Sequence, residues 1–234
     1  KDVVIAKDSN VVGMTNVYLE GRRSAVRTEE TNLGNLTADA NLWMAKKYDP
    51  SVMVSIKNGG GIRAEIGVIS EVSPGVYQTL PPQPNPISGR DSLEVSQLDL
   101  ENSLRFNNQL SVLELTASGL KDVIEHAISA WAPGATPGQF CQVGGLKFSF
   151  DPNRPAGSRI QSMVIIDSVG NYLDTIVATD KVYGNPSRTI KIVTLNFLAG
   201  GGDSYPFPAL GANRVDLDSA ISNLTLSYTA SNPG

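Results

Sequence analysis

Residues 30–63 read ETNLGNLTADANLWMAKKYDPSVMVSIKNGGGIR. Apolar residues at Leu33, Leu36, Ala40 and Met44 recur at helical spacing, which predicts a helix over Glu30–Lys47. Lys46 and Lys47 fall in its last turn, where positive charge complements the helix dipole, and Pro50 follows its end. Ser51–Ile56 then reads as a short strand of alternate β-branched or apolar residues, closed by a turn rich in glycine. A helix followed at once by a strand points to a mixed α/β chain.

The same mixture continues on both sides. Toward the N-terminus, Val3–Tyr18 alternates weakly and carries small polar residues, so it reads as a strand with its connections and not as a helix. Toward the C-terminus, five prolines (Pro74, Pro81, Pro82, Pro84 and Pro86) remove backbone donors between Ser73 and Arg90, which predicts a proline-rich surface loop at 73–90. Asp99 is placed to cap a short helix through Leu104, Leu110–Leu115 reads as a strand, and Ser118 is placed to cap a helix running to about Trp131. Further strands are expected at Leu146–Phe150, Ile160–Ile166 and Ile190–Leu195, with a turn-rich tail from Gly200 onward. No internal repeat breaks the chain, and residues 1–234 are expected to form one domain.

Composition narrows the class. With 41% hydrophobic and 18% charged residues the chain has the make-up of a globular protein, and a net charge of −4 with interspersed signs argues against nucleic acid or an anionic membrane surface as partner. No apolar run approaches the roughly 20 residues that span a bilayer, and no charged-then-apolar leader precedes the first element, so a soluble chain is expected. The start at Lys1 without methionine suggests a processed product or a domain of something longer. Cys141 stands alone and reads as a buried structural thiol.

Hydrolytic chemistry is poorly provided for. A dimetal centre recruits several imidazole and carboxylate ligands, and this chain has one histidine, His126, in the apolar-patterned helix after Ser118, where a packed or surface role is expected. There is no G-x-S-x-G elbow, so no catalytic residue and no metal ligand is assigned.

Four segments do suit a phosphorylated aromatic ligand. Arg27 precedes a polar helix start, Thr28–Asn35, and a guanidinium can grip phosphate bidentately, although on the residues alone a surface ion pair with Glu29 or Glu30 is the simpler use for it. Lys57–Arg63 places three glycines between Asn58 and Arg63 without the G-K-[ST] ending of an ATPase loop. Leu104–Asn108 and Asn196–Asp203 each join a phenylalanine to polar residues, and such rings stack on bases when they are not core.

The order of these segments resembles the C-terminal domain of the 5′-nucleotidase family, which includes bacterial periplasmic UDP-sugar hydrolases and animal ecto-5′-nucleotidases. RTEETNLGNLTADA from Arg27, NGGGIRA from Asn58, LELTASGLKDVIEHA, GQFCQVGGLKFSFDP from Gly138 and NFLAGGGDSY from Asn196 follow one another as that family's motifs do. The resemblance implies a mixed, α+β-like domain of layered sheets flanked by helices. It also implies that Arg27, Arg63 and Asn58 hold the phosphate of a nucleotide and that Phe106 and Phe197 stack on the base. Asp203, Asn108 and Gly138 would contact the ribose or base. Arg105 stands where the family usually has proline, and the 73–90 loop looks longer than the usual connection; both bear on which nucleotide is accepted.

The implied partner is an N-terminal metallophosphoesterase domain that carries the divalent metal ions, whose Asp/His/Asn ligands have no counterpart here. A periplasmic or cell-surface location follows from kinship. A stand-alone module binding a nucleotide or sugar ligand is the alternative, and a metallophosphoesterase segment upstream of Lys1 in the parent gene would separate the two. Asn-x-Thr sequons occur at Asn35 and Asn223, and Asn35 falls in a predicted helix. With one histidine, the purified chain supplied with divalent metal should hydrolyse no 5′-nucleotide; metal-dependent phosphate release that co-purifies with it through every step would contradict this reading.

Overall fold

The computed structural model describes residues 1–217, and Asn223 lies outside the described residues. The chain opens with helix α1 (Asp2–Ser9) and strand β1 (Val11–Met14), where an extended segment was expected. Val3 and Val4 on α1 are exposed, so the helix has no apolar stripe to read. A buried carboxylate holds it instead: Asp8 accepts hydrogen bonds from Asn85 Nδ2 (2.7 Å), Ser88 Oγ (2.6 Å) and Ser96 Oγ (3.1 Å) and lies 3.4 Å from Arg90 Nε.

A single helical turn, α2 (Arg23–Val26), precedes α3 (Asn32–Tyr48), and the Thr31 hydroxyl caps α3 by accepting from the Gly34 N–H at 3.0 Å. The helix forms where periodicity placed it, but its buried face differs. Leu33, Thr37, Ala38, Leu42 and Ala45 are buried, whereas Leu36 and Ala40 are exposed. Thr37 can sit inside because its hydroxyl donates to the Leu33 carbonyl at 2.9 Å, so a polar residue completes a face that hydrophobicity alone misplaces.

Strand β2 (Val54–Asn58) is buried along its length and ends in a 3₁₀ turn at Gly59–Gly61. Strands β3 (Val68–Ser73) and β4 (Val76–Leu80) form an exposed hairpin turned by Pro74 and Gly75. Part of the expected 73–90 loop is therefore a strand. Pro74 sits at the turn and the other four prolines follow Leu80, so none interrupts the ladder.

Strand β5 (Glu94–Ser96) leads into α4 (Gln97–Ser103), whose N-cap is Ser96. Asp99, expected as the cap, is its reciprocal partner three residues on. After β6 (Leu110–Thr116), helix α5 (Ala117–Ser129) is capped by Thr116 and not by Ser118.

The chain continues through β7 (Cys141–Gly144), β8 (Leu146–Phe150), β9 (Ile160–Ile166), β10 (Tyr172–Ala178), β11 (Lys181–Val182) and β12 (Thr189–Leu195). A single-turn helix, α6 (Asn196–Ala199), follows β12, and the tail expected to be turns from Gly200 onward contains a second, α7 (Phe207–Leu210), and an edge strand, β13 (Ala212–Leu217).

These elements stack in layers. A five-stranded sheet runs β13-β6-β12-β2-β7, with β12 and β2 parallel and the other pairs antiparallel; a second sheet runs β11-β10-β9-β8. Helix α5 packs against strands of both sheets, and its Leu120, Val123, Ile124, Ala127 and Ile128 share one core with Val54, Ile56, Leu113 and Leu115 below and Ile160, Met163, Ile165 and Ile176 above. Each fully buried large apolar side chain of that kind contributes about 1.5–3 kcal/mol. Helix α3 covers the other face of the five-stranded sheet, where Leu42 and Ala45 meet Val112 and Val193. A mixed α/β domain of layered sheets flanked by helices results, as expected.

Side chains alternate along β2, so Val54 and Ile56 point to the α5 core while Ser55 and Lys57 face the α3 side. Lys57 is 4% exposed and has no ion pair among the described residues; burial pushes its pKa down to about 8. Between that value and the ordinary lysine range near 10.5 the unfolded chain binds more protons, so stability rises with pH across this window. Below it both states are protonated and the penalty is constant. Lys57→Met should therefore raise unfolding free energy near neutral pH by up to about 3 kcal/mol and flatten the rise above pH 8. Urea titrations of both proteins at about pH 7 and about pH 10 test it; parallel pH profiles would refute it.

Candidate functional site

The site forms where β2 runs out. Gly59 N–H donates to the Phe140 carbonyl at 2.6 Å and Gly60 N–H to the Gly138 carbonyl at 2.9 Å, so the strand pairing of Asn58 with Cys141 continues into the glycine turn. A side chain on Gly59 would overlap the carbonyl oxygen of Val26, which is why the end of α2 can press onto this turn. Gln142 on β7 ties down the same segment. Its amide donates to the carbonyls of Val26 (3.0 Å) and Glu29 (2.7 Å) and accepts from Thr31 N–H (3.2 Å).

Three distant parts of the chain are thereby brought together. Asn58 Nδ2 donates to Asp203 Oδ2 at 2.6 Å, and an added Cβ on Gly138 would lie 3.6 Å from the same oxygen and 3.7 Å from Arg27 Nη1. Arg27 is 8% exposed and donates to the Thr136 carbonyl at 3.3 Å; among the described residues it makes no ion pair with Glu29 or Glu30. Two polar atoms here are buried without a protein partner, Arg27 Nε and Asn58 Oδ1. Leaving such groups unpaired costs about 1–3 kcal/mol each, which favours a polar ligand or water beside them.

Arg63 closes another side. Its Nη1 donates to the Gly60 carbonyl at 3.2 Å and its guanidinium carbon stands 5.7 Å from the centroid of the Phe106 ring, within cation–π range. Burial, above all, pushes the Arg27 pKa below its ordinary value, and the charges of Arg23 and Arg63 act in the same direction against the opposing Asp203. Arginine stays charged, so the cluster of Arg23, Arg27 and Arg63 around the single carboxylate of Asp203 carries excess positive charge. Arg23, which donates to Thr136 Oγ1 at 3.2 Å, was not singled out from sequence. Its spacing of four from Arg27 would have marked a shared helical face, had a helix of one turn been legible.

The aromatic rim is exposed. Phe106 is 55% and Phe197 47% accessible, although both are large apolar groups. Their segments are joined, since Asn196 N–H donates to the Gln109 carbonyl (2.9 Å) and Gln109 N–H to Asn196 Oδ1 (3.1 Å). The Phe197 ring lies so close to Gly202 that any side chain there would collide with it. Asn108 joins this group through its backbone: its N–H closes a tight turn onto the Phe106 carbonyl at 2.9 Å. Arg105, beside Phe106, is exposed.

Asp203 and Ser204 both adopt left-handed backbone, with φ of 51° and 60°, which is costly for residues other than glycine and concentrates at functional sites. Among the described residues no group of three or more His, Cys, Asp or Glu side chains could hold a metal ion. Asp203 is a lone carboxylate among arginines, a setting that repels a divalent cation. No described helix is long and apolar enough to cross a membrane.

Comparison with known proteins gives a consistent picture. Residues 11–211 match the family model described as 5′-nucleotidase, C-terminal domain. The chain is 34% identical over 206 residues to the trifunctional nucleotide phosphoesterase protein YfkN of Bacillus subtilis (strain 168), covering 88% of this chain and 12% of that one. It is 31% identical over 202 residues to a snake venom 5′-nucleotidase of Gloydius brevicauda, covering 84% and 30% respectively. The solved structure of a 5′-nucleotidase precursor from Thermus thermophilus superimposes with a TM-score of 0.69 at 30% identity, covering 92% of this chain and 35% of that one. The chain thus spans about a third or less of the length of these relatives.

The contact between Gly59 and α2 is backbone against backbone and no rotamer change can relieve it. Gly59→Ala should cost about 1–3 kcal/mol of stability and perturb the Arg27 segment. Urea unfolding with native-state proteolysis of residues 22–31 measures both, and an unchanged midpoint would show that α2 is not pinned by this turn.

Proposed function

Because the chain belongs to the 5′-nucleotidase C-terminal domain family, we propose that it is the nucleotide-recognising domain of a phosphoesterase that hydrolyses phosphate esters of nucleotides. One observation carries the reading: a cluster of excess positive charge, with Arg27 Nε and Asn58 Oδ1 unpartnered, gathers around one carboxylate with two exposed phenylalanines on neighbouring segments. A nucleotide presents the complementary set, namely an anionic phosphate, a flat base and ribose hydroxyls.

In this assignment Arg27 and Arg63 grip the phosphate as charged donors and Asn58 completes its cradle. Phe106 and Phe197 stack on the base, and stacking offsets the cost of keeping both rings in water. Asp203 accepts from ribose hydroxyls, Gly138 allows the ligand close to the backbone, and Asn108 reads the base edge. Divalent metal ions and the hydrolytic step are assigned to a metallophosphoesterase domain of the parent protein, since no group of His, Cys, Asp or Glu among the described residues suits a metal. Its own contribution is to bind the nucleotide and fix its orientation, which lowers the entropic part of the barrier. An exported location, periplasmic or at the cell surface, fits a relative found in venom.

Titration calorimetry of adenosine and its 5′-monophosphate against the parent and three variants tests the site. Phe106→Ala or Phe197→Ala should each lose roughly 1–3 kcal/mol for both ligands, about tenfold to a hundredfold in affinity. Arg63→Ala should weaken the monophosphate much more than the nucleoside. Equal losses for the two ligands would make Arg63 structural and withdraw the phosphate half of the proposal.

A further inference from the structure

Two loops that reach the pocket, one through Gly138 and one through Asp203, are joined to helix α5 by a closed set of contacts centred on His126. Its Nε2 lies 2.9 Å from the Asp203 carbonyl oxygen, and since a carbonyl only accepts, Nε2 carries the hydrogen. The imidazole also packs edge-on against Tyr205, with ring centroids 5.0 Å apart. Tyr205 OH donates to the Gln139 carbonyl at 2.7 Å, and Gln139 Nε2 donates back to the His126 carbonyl at 2.6 Å.

The left-handed turn at Asp203 and Ser204 needs such a restraint. Its own bonds, from Ser204 N–H to Gly201 O and from Tyr205 N–H to Gly202 O (both 3.1 Å), stay within the turn and do not orient it against the rest of the fold. The bond from Asp203 to Asn58 uses the side chain, the group a ligand would engage. His126 is the group on α5 that holds the Asp203 backbone directly, from a helix whose other face is locked in the core.

We propose that His126 is a positioning residue: its imidazole N–H fixes the Asp203 carbonyl and so aims the Asp203 carboxylate into the pocket for the hydroxyls of a ligand. This rests on the reading of Asp203 as a ribose contact. A purely structural histidine would need only its ring against Tyr205; positioning needs the ring nitrogen.

Substitution separates the two roles. His126→Phe keeps the edge-on packing and removes the donor, while His126→Gln keeps an N–H at similar reach; His126→Leu replaces the phenylalanine variant if that one fails to fold. Hydrogen–deuterium exchange of the free full chain should show residues 200–205 exchanging several-fold faster in His126→Phe and close to parental rates in His126→Gln, with α5 unchanged. In calorimetry, His126→Phe should bind adenosine about five- to tenfold more weakly and lose discrimination against 2′,3′-dideoxyadenosine, and His126→Gln should recover most of both.

Parental exchange in 200–205, or parental adenosine affinity in His126→Phe while Asp203→Ala binds weakly, overturns the positioning role and leaves the site reading standing. Unchanged adenosine affinity in Asp203→Ala removes the site reading and the positioning role together.

Discussion

Two backbone hydrogen bonds, from Gly59 to Phe140 and from Gly60 to Gly138, extend the β2–β7 pairing past the end of the strand. The Gly138 loop and the Arg27 segment depend on this extension. It places the Gly138 loop against the glycine turn, and the absence of a side chain on Gly59 lets the end of α2 come down on the same point with Arg27 at its C-cap. Gln142, one residue along β7 from Cys141, then ties the chain between α2 and α3 to the sheet. A rigid sheet edge thus supplies the geometry, and the loops supply the chemistry.

The pocket concentrates features that cost stability elsewhere in a protein. Arg27 Nε and Asn58 Oδ1 lack partners, Asp203 and Ser204 are left-handed, and two phenylalanines stand in water. Their coincidence within one small region supports the proposed binding site, because a ligand could offset each of these costs. Lys57, one residue before Asn58, shows the contrast: a buried cationic group on the opposite face of β2, away from this cluster, where its cost is simply carried.

Helix α5 links core and pocket. Its apolar face is the middle layer between the two large sheets, and His126 projects from it to the Asp203 turn. A strained turn anchored to such an element keeps its geometry without further bracing. The exposed β3–β4 hairpin has no comparable anchorage: most of its side chains face solvent.

Periodicity alone placed α3, α5, β6, β8, β9 and β12, since each has a regular apolar pattern that local geometry turns into one face. It misjudged what depends on partners. Helix α1 is held by a buried aspartate and not by a stripe, α3 turns small residues and a threonine inward, and β7 is a short strand containing glutamine and glycine that is held by pairing with β2 and by the Gln142 bonds to the α2–α3 segment. The resemblance of ordered motifs to the family's pointed to Arg27, Asn58, Arg63, Phe106, Asn108, Gly138, Phe197 and Asp203 as candidate residues. The contact of Asn58 with Asp203 across 145 positions, the addition of Arg23 and the hold of His126 on the Asp203 turn came only from the tertiary structure. Local patterns are set by neighbours three or four residues away, whereas a site is set by which chain ends the sheet brings together, and no short-range regularity encodes that.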